Sequence, residues 1–486
     1  MVGLLGILLA LALLVWLAFR GWSILLLAPA ASILVAAFAG GRLVPYWTQI
    51  FMDSAARFVA QFFPIFLLGA LFGKLMEDSG SVTAIADFMT KKLGPSRATL
   101  TVVLAGALVT YGGVSLFVAF FVLVPMAQAV FRTANIPNRL VPAAIALGTS
   151  TFTMSALPGT PAIQNAIPMP FFGTTPLAAP GLGIIAAAIM LAFGLWWMRR
   201  AEAAAHRKGE GFGVAIPPPS ADAAAEDQNV RERATTAREF DPPEVHRGGH
   251  SGEFPPIVLA IAPLFVVIVV NVLMSLVVLP RLDVSFLAEE RWGATSLSAV
   301  GGVWAVVSAL GAAIATVIAA NRRRLPRLRD TMDSGANASV LPVLSVSSLV
   351  GFGAVVADVP AFAIVRDWVL SIEGGPLVSL AVATNLLSAI TGSASGGLTI
   401  ALDALGATYM RIATQQGIDP ALLHRIAVMS AGTLDSLPQN GAVITLLAVC
   451  GSTHRESYFD IVMAAIAGPI IALVAAIALG SAFGSF

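Results

Sequence analysis

Runs of apolar residues long enough to cross a bilayer recur along the whole chain, and several are interrupted by proline, glycine and polar residues. They lie at about 1–20, 22–40, 56–75, 138–175 (interrupted), 180–199, 254–280, 294–320, 336–357, 421–451 (interrupted) and 456–482. A helix needs roughly 20 apolar residues to span the hydrocarbon layer, so these read as ten crossings. Two further apolar segments, 98–131 and 376–416, are broken by "TYGGVS" (110–115) and "TGSASGGLT" (391–399). Only 11% of residues are charged and the mean hydropathy is +0.86, against about 25% charged in soluble domains. The fold class expected is an all-α polytopic membrane protein. The opening run, "MVGLLGILLALALLVWLAFR", lacks the basic start and small-residue cleavage site of a secretory signal and is read as a retained first helix.

The same features exclude several functions. A net charge of +1, with basic residues confined to short loops, gives no electrostatic footing for nucleic acid. The lone Cys450 rules out an intramolecular disulfide and a cysteine metal cluster. No His/Glu metal pattern and no Ser–His arrangement falls inside a span, so neither an intramembrane enzyme nor a cofactor or metal is expected.

Basic loops set the topology. "KKLGPSR" (91–97), "FRTANIPNR" (131–139), the stretch after residue 197 and "NRRRLPRLR" (321–329) should be cytoplasmic. For 91–97 and 131–139 to share a side, the chain between them must enter and return. Arms of about 14–18 residues favour a re-entrant hairpin there. Both termini then lie outside, and 200–253, polar and rich in Pro and Ala, reads as a disordered cytoplasmic linker.

The linker separates two related halves, 1–199 and 254–486. "FGKLMEDSGSVTAIADF" (72–88) aligns without gaps with "FGAVVADVPAFAIVRDW" (352–368) at an offset of 280, matching Asp78 with Asp358 and Asp87 with Asp367. Gly112 and Gly113 correspond to Gly396 and Gly397 at nearly that offset, and Pro158 to Pro438 at it. Each half would hold about five crossings, one hairpin (98–131; 376–416) and one broken helix (138–175; 421–451). An odd number of crossings inverts the second copy relative to the first, the pattern of an inverted-repeat secondary transporter.

In such carriers irregular backbone is tolerated at membrane depth because it lines a cavity. Pro158, Pro438 and Gly441 are the expected helix breaks. Thr151, Thr153, Ser155, Thr433, Ser436 and Asn440 surround them, while Thr110, Gly112, Gly113, Ser115, Ser393, Ser395, Gly396 and Gly397 form the hairpin tips. These residues are the candidate substrate contacts. Asn385, within a hairpin arm, suits either helix packing or substrate. Asp435 is the candidate ion-coupling residue, because an ionisable group inside a span is costly and no acid occupies the corresponding place in the first half. A carboxyl held out of water favours its protonated form, which suits a proton; its oxygens beside Ser436 and Asn440 would also suit sodium. Asp358 and Asp403 read as interfacial, and His424–Arg425 and His454–Arg455 as anchors at helix ends.

"NLLSAITGSASGGLTIALDALGATY" (385–409) and "HRIAVMSAGTLDSLPQNGAVITLLAVCGSTHRESYFDI" (424–461) resemble the gluconate permease (GntP) family of organic-acid symporters, in the branch of D-3-hydroxybutyrate permeases. That family belongs to the ion-transporter superfamily, whose members are dimers with a scaffold domain, a moving transport domain and two opposed hairpins. The resemblance implies a small hydroxy-monocarboxylate substrate, proton coupling, a homodimer and a bacterial inner-membrane location. Relatives carry His after the Leu-Pro where this chain has Gln439, which puts the coupling chemistry in question. From the residues themselves, no Arg or Lys lies in a break or tip, so a monoanion fits better than a di- or tricarboxylate. A sodium-coupled symporter and a channel are the alternatives.

Overall fold

The computed structural model describes residues 2–19, 22–213, 254–438 and 440–486, and no strand occurs among them. Gln439 and most of the stretch read as a linker, 214–253, lie outside the described residues. In the first half, α1 (Val2–Phe19) and α2 (Ile24–Phe38) form a packed pair. They lead to the 36-residue α3 (Leu43–Asp78). Gly80, at φ 72°, turns the chain into the short amphipathic α4 (Ser81–Leu93). The first hairpin follows as α5 (Ala98–Tyr111) and α6 (Leu116–Thr133), and then the short α7 (Val141–Thr149). After an irregular stretch, α8 (Pro180–Arg207) closes the half and runs eight residues into the segment read as linker.

The second half repeats this order. It comprises α9 (Ile257–Arg281), α10 (Leu297–Asn321), α11 (Leu328–Asp358), α12 (Phe362–Leu370), the hairpin α13 (Gly375–Thr391) and α14 (Ala394–Gln416), then α15 (Pro420–Thr433), α16 (Gly441–Val449) and α17 (His454–Phe483). Six of these helices, α3, α8, α9, α10, α11 and α17, are long and apolar enough to cross a membrane. The arms of the first hairpin have 14 and 18 residues and those of the second 17 and 23. At 1.5 Å per residue α5 reaches only ~21 Å, short of the ~30 Å hydrocarbon layer, whereas α14 reaches ~35 Å.

Helix ends recur 280 residues apart: α3 ends at Asp78 and α11 at Asp358, α5 at Tyr111 and α13 at Thr391. The counterpart helices α3 and α11 pack antiparallel. A Cβ on Gly351 would lie 2.7 Å from the Phe51 carbonyl, while at the other end Thr331 Oγ1 donates to Asp78 Oδ2 at 2.6 Å. Beside that bond the buried Lys74 pairs with Glu77 (3.3 Å) and Asp78 (3.2 Å). Asp358, the other member of the aligned pair, is exposed and bonds to Tyr46.

Contacts sort the loops onto two faces. On one, Arg139 bridges Glu210 (2.8 Å) and Asp460 (2.9 Å), Asn138 donates to the Cys450 carbonyl (3.0 Å), and the Phe212 N–H donates to Asn135 (3.2 Å). On the other, the Gly181 N–H donates to the C-terminal Phe486 carbonyl at 2.7 Å, and Ser485 donates to Asp419. The segments 131–139, 208–213 and 450–460 therefore share a side.

Candidate transport site

Both breaks form where proline and glycine interrupt the helical ladder. After α7 the chain makes one turn, Phe152–Ser155, and regains only short helices at Ile163–Ala166 and Pro168–Phe172. In the second half α15 ends at Thr433 and α16 begins at Gly441. A break strands backbone carbonyls, and five of them meet side-chain donors. Tyr111 Oη donates to the Pro158 carbonyl (2.7 Å), Asn271 Nδ2 to Gly159 (3.1 Å) and Asn165 Nδ2 to Thr160 (3.0 Å). In the second break Tyr458 Oη donates to the Ser436 carbonyl (3.2 Å), and His454 Nε2 meets that of Pro438 (2.9 Å).

The first tip turns at Gly112–Gly113, with Gly113 at φ 98°, a region closed to side chains with a Cβ. The second turns at Gly392, φ 62°, and Ser393, whose side chain caps α14 by accepting from the Gly396 N–H at 3.2 Å. Gly396 and Gly397 are thus not the tip; they lie in the first turn of α14. Gly397 is needed for contact, since a Cβ there would sit 2.2 Å from the Ser388 nitrogen of the facing arm. The true tip glycines, Gly112 and Gly392, stand 280 residues apart, so the sequence pairing was displaced by four residues.

Tips and breaks converge in a chain of contacts. Thr110 Oγ1 lies 3.2 Å from Thr153 Oγ1, and a Cβ on Gly113 would be 2.7 Å from Pro161, so the first tip seats on the first break. Ser155 packs against Gly432, where a Cβ would lie 2.9 Å away, joining the first break to the second. Asn440 then joins the second break to the second tip. Its Nδ2 donates to Asp435 Oδ1 (2.8 Å) and to the Gly392 carbonyl (2.9 Å), and its Oδ1 accepts the Ala442 N–H (2.7 Å) at the start of α16. Asp435 also accepts from the Ala394 N–H of the tip. It is half-buried, and no Lys or Arg pairs with it among the described residues.

Other candidates stand differently. Thr151, Thr153, Ser155 and Thr433 donate to carbonyls four residues back, at 2.7, 3.1, 3.0 and 2.8 Å, which leaves their oxygens able to accept. Ser436 is buried in the break, and Ser395 is buried beside Ser393, 3.2 Å away. Ser115 is exposed at the start of α6. Asn385 sits in α13 seven residues before Gly392; its Nδ2 donates to Ala381 (2.9 Å), and its buried Oδ1 has no partner among the described residues.

His424 and Arg425 correct the sequence reading. Expected as interfacial anchors, both are fully buried, because 160–178 folds over the start of α15. Arg425 donates to the Ala178 carbonyl through Nε (3.0 Å) and Nη2 (2.7 Å) and to Asn165 Oδ1 through Nη1 (3.4 Å). His424 meets Thr174 Oγ1 at 2.6 Å and Asn165 Oδ1 at 3.2 Å. Asn165, Tyr111 and Asn271 were not anticipated; a polar residue next to a break is the signal that could have marked the first two.

A family model described as GntP family permease matches residues 2–198. YxjC of Bacillus subtilis (strain 168), named an uncharacterized transporter, is 39% identical over 464 residues, covering 94% of this chain and 94% of its own. The YdaH transporter of Alcanivorax borkumensis shares the fold with a TM-score of 0.53 at 13% identity, over 91% of this chain and 89% of its own. MtrF of Neisseria gonorrhoeae, described within a class of antimetabolite efflux pumps, does so with a TM-score of 0.53 at 14% identity, over 89% and 84%. Family and relative are transporters and not enzymes. The family model covers the first half, whereas the motif that carries the resemblance in sequence lies in the second. With the family model on the first half and a transporter 39% identical along 94% of the chain, this multi-pass membrane transporter belongs to the GntP family of permeases.

Proposed function

We propose that this permease is a secondary transporter that imports a small hydroxy-monocarboxylate of gluconate or 3-hydroxybutyrate type by proton symport with alternating access. The observation that carries this reading is Asp435, held where the second tip meets the second break by one backbone N–H and the Asn440 amide, with no Lys or Arg paired to it among the described residues. An acid so placed can change its protonation without breaking an ion pair. The substrate would lie along the chain of contacts from Thr110 and Thr153 through Ser155 to Ser436, where hydroxyl oxygens and backbone suit a carboxylate and a hydroxyl group. Support for two inverted repeats comes from the antiparallel packing of α3 against α11 and the helix ends 280 residues apart. The reading includes a homodimer in a bacterial inner membrane with the basic loops inside, as the family resemblance implies.

Sodium is the rival coupling ion, and the Asn440 orientation disfavours it at Asp435. The Asn440 oxygen is fixed by the Ala442 N–H, so its NH₂ group faces both Asp435 and the Gly392 carbonyl, occupying the place a cation would take. The test is uptake into proteoliposomes over a panel of hydroxy acids, with pH and sodium gradients imposed separately. Saturable uptake driven by the pH gradient is expected, and Asp435→Asn should abolish accumulation while sparing exchange at equal concentrations. Uptake that requires sodium and ignores pH, or an Asn variant that still concentrates substrate, would sink the assignment.

A further inference from the structure

Arg425 is the one fully buried arginine among the described residues, and its charge has no counterpart. Lys74, Asp78 and Asp460 are buried as well, and each faces an opposite charge, Lys74 and Asp78 at 3.2 Å and Asp460 and Arg139 at 2.9 Å. Arg425 forms no ion pair among the described residues. Asp419, the acid nearest to it along the chain, is exposed and bonds to the Ala421 N–H and to Ser485.

The hydrogen bonds of Arg425 account for its place but not for its charge. Its acceptors are the Ala178 carbonyl and the Asn165 amide oxygen, which a neutral donor would serve without taking a cation out of water. A buried cation with no acid beside it is most readily offset by an anion that comes to the site.

The guanidinium stands directly behind the first break. A Cβ on Gly183 of α8 would meet the Ala156 carbonyl oxygen at 2.4 Å, Arg425 Nε at 3.3 Å and Pro158 Cδ at 3.4 Å, so all three converge on the space that Gly183 leaves open. Tyr111, which donates to the Pro158 carbonyl and immediately precedes the first tip, lies within electrostatic reach of Arg425. The turn Phe152–Ser155 touches both α8 and α15. On α15, Arg425 and Gly432 share one face two turns apart, ~10 Å along the axis. Ser155 packs against Gly432, so the same distance separates the buried charge from the middle of the expected substrate path.

We propose that Arg425 is a positioning residue for transport, whose charge selects an anion and draws the substrate carboxylate to the Ser155 end of the path, with the rest of the molecule toward Ser436. The proposal rests on the transport reading of the same site. Arg425 acts through the packed backbone of the first break and does not touch the substrate. A unit charge ~10 Å away, at an effective dielectric of ~20, changes carboxylate binding roughly ten- to twentyfold. This orientation also sets the carboxylate apart from Asp435, whose ionised form would repel it.

The test measures equilibrium binding of gluconate and 3-hydroxybutyrate, and of their neutral amides, to the purified full-length protein, beside its melting temperature. In the unaltered protein the acid should bind roughly tenfold or more tighter than its amide. Arg425→Gln keeps a donor and loses the charge, whereas Arg425→Lys keeps the charge and loses the planar fork. Both should melt below the unaltered protein. The Gln variant should bind the acid roughly ten- to twentyfold more weakly with the amide unchanged, and Lys should restore the acid to within about threefold. Asn165→Asp leaves Arg425 in place and neutralises it through the oxygen that now stands 3.4 Å from Nη1, so it too should weaken the acid and spare the amide. Equal affinity for acid and amide in the unaltered protein, equal acid binding by the Gln and Lys variants, or undiminished acid binding by Asn165→Asp overturns the proposal and leaves the transport reading standing. Binding of neither acid by the unaltered protein overturns the substrate reading and the proposal with it.

Discussion

Asn440 ties the second tip to the second break, and its three hydrogen bonds let the consequence of removing it be worked out. Asn440→Ala deletes the cap on α16, a loss of about 1 kcal/mol. It also deletes a neutral bond to Gly392 and a charge-assisted bond to Asp435, together about 3 kcal/mol. Asp435 is only half-buried, so water recovers part of this, and a net loss of about 2–3 kcal/mol is expected. That corresponds to a ~30–150-fold fall in the population of the assembled site. Asn440→Asp separates the two roles. It keeps an acceptor for the Ala442 N–H but not the two donated bonds, so thermal stability in detergent should exceed that of Asn440→Ala by no more than the ~1 kcal/mol of the cap. The donor that stood 2.8 Å from Asp435, however, becomes an oxygen, and two carboxylates that close cannot both be ionised. The pair would hold a proton where one must be released, and accumulation driven by a pH gradient should be lost in proteoliposomes. If Asn440→Ala transports at the unaltered rate, or if the Asp variant accumulates substrate normally, Asn440 does not organise the site.

Three further outcomes follow from the same geometry. Gly397→Ala places a Cβ 2.2 Å from the Ser388 nitrogen and should force the second hairpin apart, lowering folded yield in detergent size-exclusion profiles, whereas Gly311→Ala, with nothing within 4 Å, should not. Arg425→Ala leaves the Ala178 carbonyl and Asn165 without their buried donor and should cost about 3 kcal/mol or more, read as a large drop in melting temperature. A cysteine placed at Glu210, on the face shared with Arg139 and Asp460, should react with membrane-impermeant reagents only from the cytoplasmic side; the buried Cys450 adds no background, and labelling from outside intact cells would contradict the topology.

What the sequence determines by itself here is what depends on near neighbours along the chain. A run of about 20 apolar residues becomes helical wherever its partners are, and each of the ten predicted crossings falls on a helix or a broken helix, six of them long and apolar enough to cross a membrane among the described residues. Pro158 and Pro438 each lack an N–H whatever surrounds them and so mark candidate breaks, but Pro29, Pro64, Pro125 and Pro263 lie inside continuous helices, so the surroundings decide which proline becomes a break. The tertiary structure decides the rest, because the deciding contacts join residues far apart in sequence. Arg425 looks like an interfacial anchor until residues 160–178 cover it, and its bonds to Ala178 cross 247 positions. Both the Gly392–Ser393 turn and the Gly396–Gly397 pair look flexible, and only the approach of Ser388 shows that the second pair serves packing and the first the turn. Asp435 is conspicuous in sequence, but that it meets the tip through Ala394 and Asn440, with no Lys or Arg paired to it among the described residues, follows from how the hairpin and the broken helix dock. Lipid-solvated helices carry little in their pattern to say which neighbour they choose, since hydrocarbon and helix faces are equally apolar and close packing alone makes the choice.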